Sequence, residues 1–315
     1  MARGSTDEAP ADPPAAAAPR RWRPFDYPYL LLTLAPLFWS GNIVLGRAVH
    51  EAVPPVGLAF CRWFGAFLIV LPFAWPWLRR DWPALARHWR MTLLLSFLGI
   101  AFFNAVVYFA LRYTTAINGL LLQSIIPVLI LVTSFLLFRE AVTPRRALGV
   151  AVSLAGAVVV ITRGDPAVLA ALSFNIGDVW IFVAVCCYAA YSALLRLRPP
   201  VHPLSFLAAT FGAGSAMLLP FFLFEQAFVR ALEPSATTLL AVAYVAVFPS
   251  LLAYFCFNRG VELIGANRAG AFIHLMPFFG TVMAVLFLGE SFRPAHAIGI
   301  ALILGGVFLA SRAHR

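Results

Sequence analysis

The chain has 315 residues, 62% of them hydrophobic and 11% charged, with a mean hydropathy of +0.88. A soluble domain carries about 25% charged residues, so a soluble globular fold is excluded. The net charge of +10 is not a nucleic-acid signature, because membrane proteins gather cations in their cytoplasmic loops, and no nucleic-acid partner is expected.

Apolar segments of about 20 residues recur from end to end, each long enough to cross a ~30 Å hydrocarbon core as a helix. They are apolar on all sides, unlike the alternating strands of a membrane β-barrel. The fold class is therefore an all-α polytopic membrane protein. Every basic residue is Arg and the chain is Ala-rich, a composition associated with bacteria of GC-rich genome. The expected location is the bacterial inner membrane. Cys61, Cys186, Cys187 and Cys256 all fall in apolar segments without metal-ligand spacing, so they read as packing residues, with no metal and no cofactor implied.

Residues 1–24 are rich in Ala, Pro and charge and read as a disordered cytoplasmic tail. The apolar run that follows is too long for a signal peptide and lacks a small-residue cleavage site. Ten spans are predicted, at roughly 29–49, 55–77, 92–112, 116–138, 146–163, 176–197, 204–226, 237–257, 267–288 and 296–312. The longest connections are predicted at Arg79–Arg90, Gly164–Asn175 and Glu225–Ser235. With a cytoplasmic N-terminus, 17 Arg fall inside, five outside, and Arg62 within a helix, which places both termini in the cytoplasm.

The segment Thr114–Arg163 recurs 150 places later as Ile264–Ala313, with Pro127, Glu140, Pro144, Gly149 and Gly156 landing on Pro277, Glu290, Pro294, Gly299 and Gly306. Such a repeat implies a duplicated unit. The units are residues 25–163 and 176–315, joined by a linker at 164–175. Five helices per unit is an odd number, so the second unit enters the membrane from the opposite side. The charges agree, since the Glu140 loop carries Arg139, Arg145 and Arg146 while the Glu290 loop carries only Arg293. Two inverted five-helix repeats are a secondary-transporter architecture.

Trp39-Ser40-Gly41-Asn42, Phe60-Cys61-Arg62-Trp63, Tyr113-Thr114-Thr115-Ala116, Gly177-Asp178, Tyr188-Ala189-Ala190-Tyr191-Ser192, Gly265-Ala266 and the paired Pro and Glu positions resemble the drug/metabolite transporter superfamily, specifically its EamA-type ten-helix members. One departure is Arg139, where that family commonly has Gly before the Glu. The resemblance implies a central substrate-sized cavity between the halves and alternating-access transport, usually export of amino acids or other small metabolites.

Candidate substrate-binding residues follow from polar and aromatic groups at helical spacing. Trp39 and Asn42, Asn104 and Tyr108, Tyr188 and Tyr191, and Ser250 and Tyr254 each share a helix face, on helices one, three, six and eight. Arg62 is an intramembrane charge, which defaults to a functional hypothesis. It suits either a substrate carboxylate or a structural role at helix ends. His274, three residues before Pro277, and Gln123, beside its repeat partner Ser124, complete the set. For any single member of the pairs, interhelical bonding and aromatic packing is the better reading, and the set as a whole favours a cavity lining. Glu140 and Glu290 end long helices and read as interfacial helix-end charges. The small-residue faces of helices five and ten read as scaffold or as a homodimer contact. No segment resembles an ATP-binding loop. The leading expectation is an inner-membrane secondary transporter exporting a small amphipathic or zwitterionic metabolite, not an enzyme, with the lipid bilayer as its other partner. The rivals are a non-transporting receptor or assembly factor, and an integral-membrane enzyme.

Overall fold

The computed structural model describes residues 26–49, 53–110, 113–114, 116–173, 175–288 and 291–312. The predicted tail and Glu290 lie outside them. The described residues form helices and connecting turns, with no strand. The ten spans are α1 (Pro28–Val49), α2 (Pro55–Arg87), α3 (Trp89–Ala110), α4 (Ala116–Gln123 and Ile126–Phe138), α5 (Pro144–Ile161), α6 (Ile176–Leu197), α7 (Pro203–Val229), α8 (Ala236–Ile264), α9 (Ala266–Leu288) and α10 (Pro294–Ser311).

Local chemistry sets their ends. Pro55, Pro144, Pro203 and Pro294 open helices at the first turn, where the missing N–H costs nothing. Thr143, Asn175 and Ser235 cap α5, α6 and α8 by accepting backbone N–H bonds. Arg139 ends α4 in the left-handed conformation, φ 54°. That geometry favours glycine at a helix C-terminus, which gives a physical reason for the Gly that the resemblance leads one to expect there. Gly265, at φ 83°, turns the chain between α8 and α9.

Two predicted connections are corrected. The Arg79–Arg90 loop is helical through Arg87, broken only at His88 before α3 begins. The 33 residues of α2 reach about 50 Å at 1.5 Å each, longer than the hydrocarbon core. The surplus carries Arg79, Arg80, Asp81 and exposed Trp82, a composition suited to the interface rather than to lipid tails. Helix α8 also runs on past 257 to Ile264, which brings Asn258 into the transmembrane bundle.

Corresponding helices of the two halves run antiparallel, as inverted repeats require. In the α2–α7 pair, Gly57 at the start of α2 donates its N–H to Glu225 Oε2 at the far end of α7 (2.6 Å). Trp77, near the other end of α2, stacks on His202, which precedes α7 (4.2 Å between ring centroids). In the α5–α10 pair, Gly149 faces Gly306 and Gly156 faces Gly299. A Cβ at Gly156 would stand 2.6 Å from the Gly299 carbonyl oxygen. Only glycine permits this approach, the usual role of small residues between membrane helices. The scaffold part of that expectation holds, because these glycine faces are spent on each other within the chain. Across the halves, α1 packs on α8 and α9, and α6 on α3 and α4. These four contacts enclose the centre of the molecule.

Candidate functional site

Helices α3 and α8 are both wound as π-helix at the same level, over Phe97–Phe102 and Ala246–Leu252. Under the 150-residue shift the first segment falls on 247–252, within the second. A π turn widens the helix and exposes backbone carbonyls, and such turns concentrate at functional sites. In α8 the cause is visible. Pro249 has no N–H, so Val245 loses its helical donor and the Ser250 hydroxyl donates to that carbonyl instead (2.7 Å). The Pro249 carbonyl accepts from Trp39 Nε1 (3.0 Å) and from Arg62 Nη2 (3.0 Å). Its repeat partner, the Gly99 carbonyl, accepts from the Tyr254 hydroxyl (2.6 Å). Each half thus offers a π-turn carbonyl to side chains of the other.

Arg62 is 2% exposed. Besides Pro249, its guanidinium donates from Nε to Ser250 Oγ (2.6 Å) and from Nη1 to Asn104 Oδ1 and the Tyr108 hydroxyl (both 3.2 Å). It also lies over the Trp63 ring, 4.8 Å from its centroid, a cation–π arrangement. Four of its five N–H groups therefore have acceptors, and every acceptor is neutral. No carboxylate stands within ion-pair distance of it among the described residues. Burial of a charge without a counter-ion is costly, and the positive potential it leaves favours an anionic group.

An aromatic layer adjoins this charge. Trp39 meets Tyr188 (6.1 Å) and Tyr254 (6.0 Å) edge-on, while Tyr188 and Tyr191 lie 5.6 Å apart. Trp63 meets Tyr254 at 4.9 Å. Tyr191 donates to Asn258 Oδ1 (2.8 Å). Within these helices Asn42 Oδ1, Asn104 Nδ2, Tyr188 OH and Asn258 Nδ2 are buried without a hydrogen-bond partner among the described residues. Orphaned buried polar atoms are rare in folded proteins and need a cause. Four of them come from α1, α3, α6 and α8, the helices predicted to line a site.

Of the predicted residues, Trp39, Arg62, Asn104, Tyr108, Tyr188, Tyr191 and Tyr254 are joined by these contacts, and Asn42 lies one turn beyond Trp39 on α1. Two are bonded elsewhere. His274 bridges Ser153 Oγ (Nδ1, 2.6 Å) and the carbonyl of Ser124, its own repeat partner (Nε2, 2.8 Å). It therefore ties α9 to α5 and to the break in α4 near Pro127. Gln123 bonds within α4, to the Gly119 carbonyl (3.4 Å). Glu140 is a surface group, 3.7 Å from Arg146 and 3.8 Å from Arg196, as a helix-end charge should be. Asn258 escapes a reading based on spans ending at 257, and the Pro249 carbonyl escapes one based on side chains. The repeat itself could have found Asn258, since it falls 150 places after Tyr108.

A cavity of about 750 Å³ opens one helical turn beyond the Tyr191–Asn258 bond. It is lined by Ser134 and Phe138 of α4, Ala193 and Leu195 of α6, Val261 of α8 and Ala266 of α9. Both halves contribute walls. Its rim carries Glu140, Arg196, Arg198 and Glu262, with Arg198 and Glu262 paired at 2.7 Å. At the opposite end of α6, buried Asp178 accepts from Thr114 Oγ1, from Asn118 Nδ2 (3.1 Å to each oxygen) and from the Asn175 N–H (2.8 Å). This fastens the α3–α4 turn of one half to the start of the other.

The family model described as the EamA-like transporter family matches residues 27–162 and 175–312. The chain is 27% identical to YetK, an uncharacterized transporter of Bacillus subtilis (strain 168), over 89% of this chain and 86% of that one. It is 30% identical to YyaM of the same organism over 70% and 72%, and 27% identical to an uncharacterized transporter of Archaeoglobus fulgidus over 90% and 96%. A solved crystal structure superposes with a TM-score of 0.73 at 23% identity, covering 90% of this chain and 96% of its own.

Proposed function

The chain belongs to the EamA-like transporter family and is a multi-pass membrane transporter, and on that premise we propose that it exports a small metabolite bearing a carboxylate by alternating access. The observation that carries this reading is the Arg62 layer. It is a buried charge at the meeting of the halves, held by neutral groups alone and surrounded by aromatic rings and unpaired polar atoms. A carboxylate would complete Arg62, the orphaned amide and hydroxyl groups would take an amine or hydroxyl, and the rings would cover an apolar body. This chemistry suits an amino acid or a similar zwitterion.

The cavity is the cytoplasmic vestibule in this proposal, because its rim joins loops on the Arg-rich end of the chain. The described conformation is then open inward. The Tyr191–Asn258 bond separates vestibule from site, and the Asp178 fastening closes the outer end. Transport requires the halves to rock, so that one closure forms as the other breaks. The bilayer is a bacterial inner membrane with both termini cytoplasmic. The test is flux across proteoliposomes by purified protein over a panel of amino acids, organic acids and neutral metabolites. Movement of at least one carboxylate-bearing solute is expected. Movement of none, while an established exporter works in parallel, overturns the reading.

A further inference from the structure

Four arginines surround one small depression away from the central layer. Arg145 and Arg146 stand on the first turn of α5, Arg268 on the first turns of α9, and Arg312 just past the end of α10, with Thr143 and Ala310 completing the wall. The depression holds about 30 Å³, the share of about one water in the liquid. It is too small for a transported solute and admits an oxygen or two of a phosphate.

The local charge is unbalanced. Arg146 has a carboxylate near it, Glu140 at 3.7 Å, and Glu140 is shared with Arg196 at 3.8 Å. Arg145, Arg268 and Arg312 make no ion pair with the described residues. The α5 amino terminus adds the positive end of an 18-residue helix. Like charges drawn around one concavity repel unless an anion sits between them. All three helices begin or end here, so the pocket lies at the depth of lipid headgroups, where basic pockets between helices take acidic lipids.

We infer that this pocket binds the phosphate of an acidic phospholipid. The guanidiniums of Arg145, Arg146 and Arg268 grip the phosphate oxygens, and the acyl chains lie outside along α5 and α10. The site joins α5, α9 and α10, so an occupied pocket clamps the end of the scaffold pair to the first turn of α9. It holds whatever solute the central layer takes, and its failure would leave the transport reading untouched.

The test uses the purified full-length protein in detergent, titrated separately with short-chain phosphatidylglycerol, phosphatidylcholine and inorganic phosphate, with the thermal midpoint as readout. Phosphatidylglycerol is expected to raise the midpoint saturably, and the other two are not. Each of Arg145→Gln and Arg268→Gln should weaken the apparent affinity about fivefold. Arg87→Gln, which removes the same charge from an exposed site outside the pocket, should leave it unchanged. Arg312→Gln alters an exposed side chain and serves if either half-buried variant fails to fold. Equal stabilisation by phosphatidylcholine, or unchanged affinity in the pocket variants, overturns the inference. Equal stabilisation by inorganic phosphate gives the pocket to a soluble anion and overturns the lipid assignment.

Discussion

Arg62 carries a charge that four neutral acceptors hold and no described carboxylate balances. Its position in the middle of a span is legible in the sequence as a lone Arg among apolar residues. Its partners are not, because they come from α3 and α8, and no local pattern says which helix faces which. His202 shows the same point at the surface. Its backbone N–H is held by Asp81 (2.8 Å), its ring stacks on Trp77, and its Nδ1 accepts the N–H of Leu204 (3.3 Å). Burial of the ring pushes its pKa below the ordinary 6.5, while Asp81 pulls it up by a smaller amount. A lowered folded pKa means the neutral ring is favoured on folding. That stability is fully present above about pH 6.5 and is lost as pH falls through the lower folded value. Thermal midpoints measured from pH 8 to pH 5 should therefore fall more for the native chain than for His202→Asn, which caps the helix without titrating. Parallel curves would show that the cap does not respond to pH.

At the scale of the element, the small residues of α5 and α10 and the π turns of α3 and α8 do different work. Gly156 lies against backbone, with Gly299 O and Ile303 N both within 2.7 Å of where its Cβ would stand. Backbone cannot rotate aside, so Gly156→Val should cost at least the ~1–3 kcal/mol typical of overpacking. The expected outcome is a fall of several degrees in thermal midpoint and loss of monodisperse protein. An unchanged midpoint would mean the helices can separate freely. Pro249→Ala restores an N–H at the π turn. It lets the Val245 carbonyl recover a helical donor and releases the Ser250 hydroxyl from that duty. Higher thermal stability with lower flux is expected, since the wide turn that presents the Pro249 carbonyl would tighten. Flux and stability rising together would mean the turn has no part in transport. The glycine stripe was legible from spacing alone. The π turns were not, because a π turn and an α turn have the same composition and the same hydropathy. The overlong α2 was missed for a related reason: Arg79, Arg80 and Asp81 look like a loop to a hydropathy count, while a helix can carry them beyond the bilayer at no cost.

For the whole molecule, the recurring apolar segments carry helix number and order, and the 150-residue repeat divides them into two units of five, an odd number that calls for entry from opposite sides. It could not give the conformation. The cavity bounded by α4, α6, α8 and α9 and the Asp178 fastening at the other end distinguish the two ends, which a symmetric sequence pattern treats alike. The reading of the central layer as the substrate site is decided by a comparison of rates. Purified native protein and Arg62→Gln, matched for thermal midpoint and monodispersity, are reconstituted and assayed for flux of the best solute from the metabolite panel. Native flux with at least a tenfold loss in Arg62→Gln is the expected result. Equal rates in the two proteins would contradict it and return Arg62 to a purely structural role.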